Sequence, residues 1–76
     1  METVYRVIYL VNGVVTSDLF SDKRAASNAA RTFSKSPYGT KSRIYKCFGT
    51  WNSSSFHENR SVYVTTYKDG KRSASF

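Results

Sequence analysis

The stretch that decides the fold is Val4-Tyr5-Arg6-Val7-Ile8-Tyr9-Leu10-Val11-Asn12-Gly13-Val14-Val15-Thr16. Two β-branched, aromatic-rich runs flank Asn12-Gly13. Both central positions of a type I′ turn need positive φ, which Asn-Gly tolerates, and that turn matches the twist of paired strands. Residues 3–20 therefore read as a β-hairpin. A two-residue loop sets Val11 opposite Val14, Tyr9 opposite Thr16 and Tyr5 opposite Phe20.

Working outward, residues 22–35 read as a helix. Ala26, Ala29, Ala30 and Phe33 fall at i, i+3, i+4 and i+7, with Ala25 beside them. Ser21 or Asp22 is placed to cap the first turn, and Asp22 suits the positive end of the dipole. Ser36-Pro37-Tyr38-Gly39 ends the helix, because Pro37 disfavours helical backbone at Ser36. Residues 41–48 and 61–67 read as strands, and residues 49–59 between them as a loop carrying Trp51, Phe56, His57 and Glu58. Asp69-Gly70 signals another tight turn, so residues 71–76 fold back as a short edge strand. The expected class is α+β: one small domain spanning 1–76, with an antiparallel sheet of four or five strands in the chain order ββαββ and one helix packed on one face.

Period-2 alternation sorts the strand residues into two sets. Ile8, Leu10, Val15, Leu19, Ile44, Phe48, Val62 and Val64 are expected under the helix. The outer face then carries Tyr5, Tyr9, Tyr45, Tyr63 and Tyr67, with Arg43 and Arg72 among them. Half-exposed tyrosines are ordinary cross-strand partners. Interleaved with cations on an open sheet, they also form a platform on which bases stack. A third use of such a face is a homodimer interface.

Charge narrows the class of partner. Twelve Lys and Arg stand against five Asp and Glu in 76 residues, a formal net charge of +7. Such a surface attracts polyanions. Lys23, Arg24, Arg31 and Lys35 line the helix with no acid among them, whereas a merely solvated helix mixes signs. A second cluster of Lys35, Lys41, Arg43 and Lys46 runs into the third strand, and Lys68, Lys71 and Arg72 crowd the last turn. The candidate contact residues are thus Lys23, Arg24, Arg31, Lys35, Lys41, Arg43, Tyr45, Lys46, Tyr63, Tyr67, Lys71 and Arg72. Their partner is nucleic acid, DNA or RNA, or an acidic protein surface. The aromatic strand motifs, G-x-x-G clamps and finger spacings of the named nucleic-acid modules are absent.

Other classes find little support. One cysteine, Cys47, and one histidine, His57, cannot build a structural zinc site or a disulfide. Cys47, His57 and Glu58 are the one thinkable nucleophilic set, yet a lone strand cysteine is usually a small hydrophobe. No catalytic residue and no cofactor is expected. The first apolar run is too short for a signal peptide, and no stretch has the length of a membrane span. The free thiol fits a reducing compartment, the cytoplasm.

The hairpin followed by Ser21-Asp22-Lys23-Arg24-Ala25-Ala26 resembles the hairpin–helix modules of some phage integrase arm-binding domains. The short basic chain also resembles bacteriophage accessory proteins, a class that often binds and inhibits one host component. These resemblances imply two functions. One is nucleic-acid binding through the helix stripe and the Tyr/Arg sheet face. The other is inhibition of an acidic host protein, with or without homodimerisation through the tyrosine face.

Overall fold

A computed structural model describes residues 1–11, 13–35 and 41–73. The elements are β1 (Glu2–Val11), β2 (Val14–Phe20), α1 (Lys23–Phe33), β3 (Ser42–Asn52), β4 (Ser55–Lys68) and β5 (Lys71–Ser73). The five strands form one antiparallel sheet in the order β2-β1-β3-β4-β5. β2 and β3 both run against β1, so they are parallel to each other and α1 is the crossover between them. The expected α+β class and the fifth strand are both present. The hairpin register also matches, with Val11, Tyr9 and Tyr5 opposite Val14, Thr16 and Phe20. Gly13 takes φ 81° in the turn. The Asn12 half of that turn, the Ser36–Gly39 stop and the last residues of the expected edge strand lie outside the described residues.

The helix begins one residue later than expected and ends two earlier. Asp22 occupies the N-cap position with extended backbone, but its side chain makes no capping bond.

On β1 and β2 the faces are the reverse of the expected ones, whereas Ile44 lies beneath the helix with Val64 packed beside it, as expected. The core beneath α1 consists of Val7, Tyr9, Ala26, Ala30, Ile44 and Tyr67, with Tyr5, Val11, Phe20, Phe33 and Val64 packed around it. Ile8, Leu10, Val15 and Leu19 point to the opposite, open face, where Val15 is 70% exposed. Phe48 and Val62 share the helix side through their pairing register but lie outside the core cluster. Volume explains the reversal. An alanine-faced helix fills no space of its own, so the sheet must supply bulk. Tyr9 stacks on Phe33 with ring centroids 3.9 Å apart. Its hydroxyl reaches the rim and donates to Asp18 Oδ2 at 2.7 Å, so the polar tip of the ring is not stranded in the core.

A second difference is the expected loop at 49–59, which is instead a hairpin extending β3 and β4 beyond β1. Thr50 pairs with His57 and Trp51 with Phe56, and the last two rings meet edge to face at 5.3 Å. The rings pack on each other and leave Trp51 exposed. The register slips between Phe48 and Gly49. There the strands come so close that a Cβ on Gly49 would collide with the His57 carbonyl oxygen, so glycine is required.

Ile44→Ala should therefore cost about 2–5 kcal/mol in urea unfolding. Val15→Ala, measured in dilute solution, should change stability by no more than about 0.5 kcal/mol. Comparable losses at the two positions would contradict the placement of the helix.

Candidate functional site

The basic side chains divide among three surfaces, and one of these joins distant parts of the chain. At the C-terminal end of α1, Ser34 is fully buried. Its hydroxyl donates to the Arg31 carbonyl at 2.9 Å and accepts from the Gly70 backbone N–H at 2.9 Å. This one hydroxyl ties the helix end to the β4–β5 turn. In that turn Asp69 and Gly70 both have positive φ, 54° and 78°. The Lys35 stem lies against Gly70 so closely that a Cβ there would meet Lys35 Cε at 2.7 Å.

Arg31, Lys35, Lys71 and Arg72 thereby meet at one edge, Arg72 on the helix side with Tyr67 and Lys71 on the other side with Lys68. The Arg31 guanidinium stands 5.8 Å from the centre of the Tyr67 ring, a cation–π contact worth about 0.5–1 kcal/mol. Arg72 pairs with Tyr67 across the ladder, and its Nε donates to Thr65 Oγ1 at 3.4 Å. Lys68 faces Lys71 directly, an arrangement of like charges that weakens strand pairing. Lys23 and Arg24 continue the exposed basic surface toward the start of α1. Among the described residues, the single ion pair is Arg6–Glu58 at 2.7 Å. It lies away from this edge, on the open face.

Several sequence-based placements need correction. Tyr67 is 6% exposed and sits beneath α1, so it supports Arg31 and offers no ring to a base. Tyr5, Tyr9 and Arg72 also belong to the helix side. Only Tyr45, Tyr63 and Arg43 remain on the open face, where the two tyrosine rings meet edge to face at 5.9 Å. The Tyr63 hydroxyl shares a 2.7 Å hydrogen bond with Thr66 Oγ1. The continuous tyrosine platform is thus divided between two faces by strand alternation.

The expected cluster of Lys35, Lys41, Arg43 and Lys46 is likewise separated. Lys35 joins the β5 edge. Lys41 and Arg43 border a shallow open-face groove of about 410 Å³ with Ile8, Leu10 and Val15. Lys46 alternates to the helix side, where it and Arg60 both lie over the Phe48 ring, at 5.5 and 5.3 Å. Arg60 escaped the sequence reading because it adjoins the segment read as a loop. Arg6, which alternation places with Ile8 and Leu10 in the set expected under the helix, is on the open face with them.

Cys47, His57 and Glu58 do not converge. Cys47 is buried on the open-face side, near Arg6 and Glu58. His57 pairs with Thr50, one position beyond the Glu58–Gly49 pair, and so projects from the other face. Burial, with the Glu58 carboxylate as a second cause, pushes the Cys47 thiol up from 9.0 to about 11. That is the reverse of an activated nucleophile. Among the described residues, no group of three or more His, Cys, Asp and Glu is placed to hold a metal ion. None of their helices is long and apolar enough to cross a membrane.

No family model, curated protein or solved structure matches the chain.

The thiol should resist alkylation at pH 8 in the folded protein and react promptly once unfolded. Because its folded pKa lies above the unfolded value, the associated stability is complete below pH 9.0 and lost as pH rises toward about 11. Cys47→Ala should remove that part of the alkaline loss. Rapid labelling of the folded protein at pH 8 would contradict the buried, protonated thiol.

Proposed function

We propose that this protein is a non-enzymatic binding domain whose basic edge grips the phosphate backbone of nucleic acid. The carrying observation is that the end of the helix stripe and the β4–β5 hairpin, far apart in sequence, are brought together at one edge by the Ser34–Gly70 bond. Among the described residues Arg24, Arg31, Lys35, Lys71 and Arg72 have no carboxylate partner, and Lys68 and Lys71 are held face to face. A bound phosphate would relieve that repulsion. Lys and Arg in such numbers act by releasing counterions from the polyanion.

Among the described residues this edge exposes no aromatic ring for stacking, since Tyr67 is covered by the helix. Contacts of this kind position a protein on a backbone and carry little sequence information. Tyr45 and Tyr63 lie on the other face and are not part of the proposed contact. Binding without catalysis also agrees with the separation of His57 from Cys47 and Glu58. A free, buried thiol suits a reducing cytoplasm. An accessory protein of bacteriophage type, working in its host's cytoplasm, is the setting this chemistry fits.

Titration with single- and double-stranded oligonucleotides at several salt concentrations tests the reading. Affinity should fall with a log–log slope of roughly −0.7 to −0.9 per phosphate contacted. Replacing Arg24, Arg31 and Lys35 together by Ala should flatten that slope by about 2–3 units while leaving the fold intact. Absence of binding at low salt would overturn the proposal. Nuclease-resistant capture of one acidic protein from lysate would favour the host-inhibitor reading instead.

A further inference from the structure

The opposite edge of the sheet has a different character. β2 is a seven-residue edge strand, Val14-Val15-Thr16-Ser17-Asp18-Leu19-Phe20, paired with β1 without interruption. Natural sheets blunt such edges with lysine, proline or a bulge, and β2 has none of these. In a chain with twelve cations, no Lys or Arg falls between Arg6 and Lys23. Val14 and Val15 are 65% and 70% exposed, and Leu19 is 36% exposed.

The order of residue types in β2 is symmetric about Ser17: two apolar, three polar, two apolar. An antiparallel copy related by a two-fold axis at Ser17 sets Val15 against Leu19 and Val14 against Phe20. The polar residues then meet one another, Thr16 against Asp18 and Ser17 against Ser17. Moving the axis to Thr16 or Asp18 breaks this, because Val15 or Leu19 then faces Ser17.

Backbone parity agrees. Val11 and Val14 flank the two-residue turn, and such a flanking pair exchanges both of its hydrogen bonds. Alternation then turns the main-chain groups of Val14, Thr16, Asp18 and Phe20 toward β1. Those of Val15, Ser17 and Leu19 point outward. In the Ser17-centred register these outward groups meet their own counterparts and close about six hydrogen bonds.

We propose that β2 is a homodimer interface, pairing with β2 of a second copy about a two-fold axis through Ser17 to form a continuous ten-stranded sheet. This surface is distinct from the tyrosine face, and the proposal stands apart from the nucleic-acid reading. The outer edges of the dimer are the β5 strands, whose Lys71 and Arg72 guard against further strand pairing. The two basic edges then lie at opposite ends, about 43 Å apart along the sheet.

Light scattering on the nucleic-acid-free protein, across a concentration series, tests this. The expected mass at high concentration is twice the 8.6 kDa of one chain. Ser17→Pro removes one outward N–H and no bond to β1, and proline is tolerated on an edge strand in that orientation. It should give a monomer with an unchanged circular dichroism spectrum. Val15→Lys, at a site too exposed to affect the core, should do the same and decides the matter if Ser17→Pro fails to fold. Val62→Lys, an exposed control on β4, should leave the dimer intact. A single 8.6 kDa species at every concentration would overturn the proposal, as would a dimer that survives Val15→Lys. So would a dimer that Val62→Lys or Tyr45→Ala dissociates.

Discussion

The fold depends on close approach between an alanine-faced helix and a sheet that supplies the bulk. Ala26 and Ala30 are fully buried, as are Val7 and Ile44 beneath them. A chain of this size buries only about 60% of its unfolded surface, so large side chains must occupy the few covered positions. Tyr5, Tyr9, Phe33 and Tyr67 do so. The Tyr9–Phe33 stack sets the helix on β1, while Tyr67 packs from β4. Once the helix sits this low, its last turn reaches the β4–β5 turn. The Ser34 hydroxyl can then bond Gly70, and the basic edge is a consequence of the core.

How much of this could be read in the sequence follows from which signals are local. Asn12-Gly13 fixed the first hairpin and its register, because turn geometry is decided by adjacent residues. The alanine spacing and the proline placed the helix to within two residues. The choice of face was not local. In β1 the two alternating sets, Tyr5-Val7-Tyr9-Val11 and Val4-Arg6-Ile8-Leu10, are both largely apolar, so periodicity distinguishes them only by the single charge of Arg6. What breaks the tie is volume on the partner helix: alanines there call for tyrosines opposite. The 49–59 hairpin was hidden for another reason. Ser53 takes a positive φ of 60° in a turn that lacks glycine, and Trp51 and Phe56 stabilise each other across the strands.

The candidate site was legible as composition but not as geometry. Arg24, Arg31 and Lys35 declared a helix stripe through their spacing, and Lys68, Lys71 and Arg72 declared a basic turn. Nothing in either segment says that they adjoin, because the link is a buried serine bonding across 36 residues. Strand alternation, by contrast, should have warned that Arg43 and Lys46 cannot share a face. The tyrosines misled because their chemistry fits a core with a polar rim as well as it fits a stacking platform. Tyr9 shows the former use through its bond to Asp18.

Charge and apolar exposure are distributed in opposite directions across the sheet. β2 carries no cation and exposes valines, while β5 and the end of α1 gather four cations around one turn. A chain with a net charge of +7 resists self-association when its charge is spread evenly, since like surfaces repel. Gathering four of the twelve cations at the edge farthest from β2 weakens that repulsion for β2–β2 contact, and those nearer to β2 are Lys23 and Arg24 after its end and Lys41 and Arg43 across the groove from Val15. At about 0.15 M salt the Debye length is about 8 Å. The five-stranded sheet puts the cations of β5 about 19 Å from β2, more than two such lengths. Polyanion binding at one edge and strand pairing at the other are therefore electrostatically compatible in the same small domain, and each can be lost without the other.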